Sequence, residues 1–244
     1  MEITSVNNEL VKETAKLQQK KYRDKENKFL LEGEKCVKEA IDAGLEIDYI
    51  FALKGKCDFD NVIHTTQAVL KKISTTDTPP DVVAVAKKKE FSINDLKSAK
   101  KLILLENIKD MGNLGTILRT ACAFNSDGII LYGNECADIY NPKCVRAAVG
   151  NLWKLPVVYI HEFEQLKNSF SNYQRIATLP RAKNLLKNFK PEEKLLVMFG
   201  SEADGLSKEL TGFSTDSVKI EMNDNVESLN LSISCAVVLY EIFL

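Results

Sequence analysis

No stretch of the 244-residue chain approaches the roughly 20 consecutive apolar residues that a membrane-spanning helix requires. The opening, MEITSVNNELVKETAKLQQKKYR, is charged and helical in pattern, and it lacks the apolar core of a signal peptide. Paired cysteines are missing too. Cys36, Cys57, Cys122, Cys136, Cys144 and Cys235 are scattered, form no CxxC, and in several cases sit inside apolar runs. That usage fits reduced thiols in a cytoplasmic protein and argues against a disulfide framework or a zinc site. A net charge of −1 gives no global basic field of the kind that announces nucleic acid. Neither GxxxxGK[ST] nor GxGxxG occurs, so a P-loop or a standard dinucleotide fingerprint is not supported. Internal repeats and low-complexity segments are absent as well.

What is present begins with local charge. Lys12, Lys16, Lys20, Lys21, Arg23, Lys25 and Lys28 cluster near the N-terminus, and Lys87–Lys89 with Lys97, Lys100 and Lys101 form a second group. Each cluster reads equally as a solvated face or as a track for phosphates. The first part of the chain alternates helix and strand. Helices are expected over Glu9–Lys20, Gly33–Ala43 and Thr65–Ile73, with strands over Ile47–Leu53 and Val82–Ala86. The lysine-rich stretch Lys87–Lys101 is the natural linker, which divides the chain into residues 1–96 and 97–244. Beyond it a regular βα rhythm sets in. Strands are expected over Leu102–Glu106, Gly128–Tyr132, Val157–Ile160, Arg175–Leu179, Lys194–Phe199 and Ser217–Glu221. Helices are expected over Leu114–Phe124 (capped by Asn113), Pro142–Val149 (capped by Asn141), Phe163–Phe170, Ser207–Leu210 and Leu229–Ile242 (capped by Ser228). Short, doubly apolar strands alternating with helices indicate an α/β fold with a mainly parallel sheet covered on both faces.

Three polar segments, the first two bearing glycine, each follow an apolar run: NIKDMGNLGTILRT (107–120), FGSEADGL (199–206) and NDNVESLNL (223–231). Loops at strand ends are where α/β proteins hold ligands, so three of them suggest one composite site. They contain no histidine or cysteine, a chemistry suited to a nucleoside-like ligand and a phosphate rather than to hydrolysis or a metal. Gly112 and Gly115 bracket Asn113 at a helix start, where free N–H groups favour an anion. Arg119, spaced to share a face with Gly115, can clamp a phosphate. An ordinary capped helix with a surface arginine explains the same residues. Gly200 and Gly205 let the backbone approach a ligand while Glu202 accepts hydrogen bonds, and a solvated turn is the plainer account. Asn230 lies in an otherwise apolar run and needs partners there. Ser232 and Ser234 read as packing residues, and His64 and His161 as structural or exposed.

Together, NIKDMGNLGTILRTACAFNSDGIIL, FGSEADGLS and NDNVESLNLSISCAVVLYE resemble the three signature motifs of the SpoU (TrmH-like) branch of the SPOUT RNA methyltransferases, in the family's order and spacing. The likeness covers about Lys101 to Leu244. The first part of the chain resembles the substrate-binding domain of many of these enzymes, itself similar to ribosomal-protein-like RNA binders.

The resemblance implies a SPOUT-type sheet with a C-terminal trefoil knot and a smaller N-terminal α/β RNA-binding domain. It also implies a homodimer, S-adenosylmethionine as cofactor, no metal, and methyl transfer to a ribose 2′-hydroxyl of RNA, most naturally ribosomal RNA. Carried over by motif, the catalytic positions are Asn113, Arg119, Glu202, Ser228 and Asn230. The cofactor positions are Leu179, Gly200, Ser201, Glu202, Gly205, Ile220, Met222, Ser228 and Leu229. Tyr22 or Phe29 is a candidate to stack a base, though core packing explains either aromatic. Where the family has Ile-Pro-Met, this chain has Ile220-Glu221-Met222, which predicts a less rigid loop. Two other functions share the motifs: a transfer-RNA methyltransferase, and an RNA-binding assembly factor that keeps the pocket without turnover.

Overall fold

The computed structural model describes residues 1–223 and 225–244; Asp224, in the third polar loop, lies outside the described residues. The chain forms two compact units, one of Met1–Lys89 with Asp138–Trp153, the other of Glu90–Ala137 with Lys154–Leu244. This differs from a single division at residue 96, because a segment from the middle of the chain joins the first unit.

In the first unit the chain runs through β1 (Glu2–Ile3), α1 (Glu9–Lys16), α2 (Lys20–Glu26), β2 (Lys28–Glu32), α3 (Glu34–Asp42), β3 (Ile47–Leu53), β4 (Val62–Thr65), α4 (Gln67–Ile73) and β5 (Val82–Lys87). The five strands form a mixed sheet in the order β1-β4-β3-β5-β2. β1 and β3 run parallel to β4, while β5 is antiparallel to β3 and β2. The single helix expected over Glu9–Lys20 is broken after Lys16. Arg23 explains the break, since its Nη1 donates to the Leu17 and Gln18 carbonyls at 2.9 Å each and satisfies groups that a helix end leaves open. The short strand β2 is hidden in sequence behind the lysine run. It is central to the core, with Phe29, Leu30 and Leu31 fully buried.

The second unit opens with β6 (Lys101–Glu106), α5 (Met111–Ala123) and β7 (Gly128–Tyr132); α6 (Pro142–Ala148) then belongs to the first unit. The second unit resumes with β8 (Val157–Ile160), α7 (Phe163–Phe170), β9 (Gln174–Thr178), β10 (Asn184–Leu185), β11 (Leu195–Phe199), α8 (Lys208–Phe213), β12 (Asp216–Lys219) and α9 (Leu231–Phe243). The sheet order is β10-β12-β9-β11-β6-β7-β8, and every pairing is parallel. β6 beyond Lys101 and all of β11 are buried, as the continuous apolar runs of strands covered on both faces require. The stretch expected to be a linker is in part structured: Ser92 and Asp95 form a capping box on a short 3₁₀ turn that buries Leu96.

In a parallel sheet all carboxyl ends share one edge. From β6 the chain moves outward through β7 and β8, then crosses to β9 and β11 on the other side. The loops after β6 and β11 therefore face each other where the strand order reverses, the place where such sheets hold ligands. Past β12 the chain returns to lay α9 against α5.

Candidate functional site

Each of the three polar segments starts at the carboxyl end of a strand of the second unit. The first leaves β6 at Asn107, whose left-handed φ of 46° turns the chain toward α5. α5 begins at Met111, so Asn113 lies inside its first turn instead of capping it. The cap is Asp110, whose carboxylate accepts the Asn113 N–H at 2.7 Å. Gly112 and Gly115 are likewise helical. Arg119 lies one turn beyond Gly115 on α5; like Thr116, and unlike the buried Gly115 and Leu118, it is exposed. Among the described residues it has no ion-pair or hydrogen-bond partner.

The second segment, after β11, is a closed loop. Ser201 and Gly205 form a bridge, the Gly205 N–H donates to the Ser201 carbonyl at 3.1 Å, and the Asp204 N–H donates to Ser201 Oγ at 3.1 Å. Gly200 is obligatory there. A Cβ on it would lie 1.9 Å from the Gly205 carbonyl carbon and 2.1 Å from the Leu206 nitrogen. Gly205 takes a φ of +68°, open to glycine at little cost. The backbone of this loop is thus bare and fixed, and Glu202 projects from it exposed.

The third segment leads into α9, which starts at Leu231. Its cap is Asn230 rather than Ser228: Asn230 Oδ1 accepts the Ser232 N–H at 2.9 Å and the Ile233 N–H at 3.4 Å. Asn230 is exposed rather than buried, yet it is not idle. Its Nδ2 donates to Asn113 Oδ1 at 3.2 Å, and Asn113 Nδ2 donates to Glu202 Oε1 at 2.9 Å. One chain of side-chain hydrogen bonds therefore joins all three segments. Glu202 also adds to the burial that pushes the Cys235 thiol of α9 well above its usual pKa.

Of the other expected positions, Leu179, Ile220, Met222 and Leu229 are half-buried near the carboxyl ends of β9 and β12 and the start of α9. The Leu179 N–H donates to the Val218 carbonyl at 3.0 Å, tying two of these segments together. Ser228 is exposed. Glu221, in place of the family's proline, forms an ion pair with Lys187, a tether that a proline would lack.

Sequence reasoning missed Glu106. It closes the apolar run of β6, is buried, and accepts the Ser207 N–H at 2.8 Å, linking β6 to the start of α8. An acid ending an apolar strand was a visible signal, but its partner 101 residues away was not. Nearby, burial and a hydrogen bond to Glu209 raise the Tyr132 pKa strongly.

Residues 100–240 match the model of the SpoU rRNA Methylase family, and residues 8–84 match that of the MRM3-like substrate binding domain. The chain belongs to the SpoU rRNA methylase family. An uncharacterized tRNA/rRNA methyltransferase of Synechocystis is 34% identical over 98% of this chain and 92% of its own. A 23S rRNA guanosine 2′-O-methyltransferase of Bacillus subtilis, RlmP, is 28% identical over 99% of this chain and 98% of its own. The crystal structure of an AdoMet-bound rRNA methyltransferase from Sinorhizobium meliloti superposes with a TM-score of 0.89, covering 99% of this chain and 96% of that one at 28% identity. The SpoU α/β architecture therefore holds over nearly the full length of the chain.

Proposed function

We propose that the protein is an S-adenosylmethionine-dependent methyltransferase acting on the ribose 2′-hydroxyl of RNA. The observation that carries this reading is the Asn230–Asn113–Glu202 chain of hydrogen bonds, which joins the three loops, with Arg119 on the same helix as Asn113 and without a partner among the described residues. Ribosomal RNA is the favoured substrate class, because the B. subtilis relative aligned over both full lengths is named for 23S rRNA.

The residues present suit the cofactor. The Gly200 loop offers backbone with no side chain in the way, and Leu179, Ile220, Met222 and Leu229 supply half-buried apolar surface near it in the fold. S-adenosylmethionine supplies an activated methyl on a sulfonium, so the protein's task is chiefly alignment. Asn113, with both ends of its amide engaged, is held in one orientation at the reacting centre. Glu202 and Asn230 do the holding. The Arg119 guanidinium serves as a phosphate clamp and as electrostatic support for the 2′-oxygen as the methyl is transferred to it. Ser228 is an exposed hydroxyl available to the ribose.

The homodimer has support in α9. Ile233, Val237, Tyr240 and Leu244 are 52%, 40%, 62% and 70% exposed at helical spacing, a continuous apolar stripe of the sort a partner covers. The packing of α9, which follows β12, against α5, which follows β6, is compatible with the C-terminal trefoil knot that the family likeness implies. No helix among the described residues is long and apolar enough to cross a membrane, and cytoplasmic residence goes with this reading. The first unit, Met1–Lys89 with Asp138–Trp153, would then serve as the RNA-binding part.

Arg119→Ala tests the proposal. Transfer of radiolabelled methyl to ribosomal RNA from cells lacking the gene is expected to fall by roughly a hundredfold or more. Calorimetric affinity for S-adenosylmethionine is expected to stay within about twofold, as befits a residue that serves the RNA. A wild type that does not bind the cofactor would end the reading.

A further inference from the structure

The cations the sequence singles out for RNA are mostly spoken for. Lys12, Lys16, Lys20, Lys25 and Lys28 each pair with a carboxylate at 2.5–3.6 Å, and Arg23 is buried against Asp138. A lysine already sharing a carboxylate gains less from a phosphate and attracts one less strongly. Arg181 and Lys183 differ. Both are exposed, and among the described residues neither has a carboxylate or any hydrogen-bond partner.

Their placement is built. β9 ends at Thr178, whose hydroxyl donates to the Met198 carbonyl of β11 at 2.8 Å. Leu179 to Ala182 then form a tight turn, closed by the Ala182 N–H to the Leu179 carbonyl at 3.3 Å, with Pro180 and Arg181 at its corner. Ala182 is buried on one side of the turn and Leu186 follows, also buried. The turn is pinned by its apolar residues and presents its two cations outward, at the carboxyl edge of β9. That strand sits next to β11, whose loop carries Glu202. Of the carboxylates on these loops, Glu202 accepts from Asn113, Asp204 accepts from the Ser201 hydroxyl at 3.4 Å and Glu221 pairs with Lys187, while Glu227 is exposed.

We propose that Arg181 and Lys183 grip the phosphodiester backbone of the substrate RNA beside the methyl-transfer site. The proposal rests on the methyltransferase reading for the identity of the RNA, and its physical content is a pair of phosphate contacts. Two contacts to a single strand contribute about 1.4 to the slope of log affinity against log salt.

The test measures binding of a fluorescein-labelled oligouridylate by anisotropy across a salt series, for wild type and Arg181→Ala/Lys183→Ala. The double variant is expected to bind roughly tenfold more weakly at low salt, with the slope shallower by about 1.4. The charge-preserving variant Arg181→Lys/Lys183→Arg is expected to keep most of the slope. Calorimetric titration with S-adenosylmethionine is expected to be unchanged in both, which also shows that they are folded. An unchanged slope in the double variant overturns the proposal. So does a loss of cofactor affinity with the slope intact, which would assign the cations to the cofactor's carboxylate. A wild type that shows the slope and loses it in the double variant, yet transfers no methyl group, would uphold these contacts while ending the methyltransferase reading.

Discussion

Arg23 looks, in sequence, like one more cation in a basic run, and it is the residue whose role departs most from that reading. It is 1% exposed, its Nη2 lies 2.6 Å from Asp138 Oδ2 and its Nε 3.0 Å from the same oxygen. Nothing local announces a partner 115 positions away. Phe29, a candidate for stacking a base, is fully buried and packs on Tyr140 with ring centroids 4.7 Å apart. Tyr22 stays half-buried under Lys21, whose Nζ stands 4.7 Å from the ring centre. Removing one partner of a buried pair strands the other charge, so Arg23→Ala is expected to cost about 3–5 kcal/mol. Replacing both with apolar residues (Arg23→Met/Asp138→Leu) is expected to recover most of the loss, because no buried charge then remains. Urea denaturation of the three proteins measures this, and equal destabilisation by the single and double changes would contradict it.

At the scale of elements, the apolar rhythm made the strands of the second unit legible: β6, β7, β8 and β11 lie within a residue of their expected bounds. Helix starts were less legible. Several residues near α5 and α9 can cap, and which one does is decided by contacts the sequence does not display. Asn113 and Asn230 are drawn toward each other across 117 positions, which leaves Asp110 to cap one helix and makes Asn230 the cap of the other. α9 carries a second lesson, since it is apolar nearly all round though only one side of it is buried. Cys235, Val238, Leu239, Ile242 and Phe243 are buried, while Ile233, Val237, Tyr240 and Leu244 are exposed. Tyr240 is partly held by an edge contact to Phe124. Ile233 and Val237, one turn apart, have no such support. Ile233→Asp/Val237→Asp is therefore expected to shift sedimentation from dimer to monomer with helix content retained, since two carboxylates cannot be desolvated in such a seam. A wild type sedimenting as a monomer at micromolar concentration would refute the dimer directly.

For the whole molecule, the mainly parallel sheet and the convergence of three loops were visible in the order of motifs. The assignment of residues 138–153 was not. α6 follows the βα rhythm of the second half in sequence, yet Asp138 binds Arg23, Arg146 reaches Glu32 at 2.9 Å, and Trp153 Nε1 donates to the Glu39 carbonyl at 3.2 Å. These long-range polar contacts fix the segment in the first unit, and periodicity carries no record of them. The arrangement places the only tryptophan, Trp153, in the unit that does not hold the proposed cofactor positions. Leu179, Gly200, Ile220, Met222 and Leu229 all lie in the other. A ligand present at about a hundred times its dissociation constant stabilises the folded state it binds by about 2.7 kcal/mol. For a unit of about 140 residues that corresponds to roughly 10 °C in melting temperature. Scanning calorimetry is therefore expected to show the main transition rising by about this amount when S-adenosylmethionine is added. Tryptophan fluorescence, which follows only the first unit, is expected to shift its midpoint by clearly less. The two units each have a buried core of their own, so the cofactor acts directly on one core and reaches the other only to the extent that they unfold together. Equal shifts by both probes would mean that the two cores melt as a single cooperative unit. A larger shift in fluorescence than in calorimetry would place the cofactor in the wrong half of the molecule.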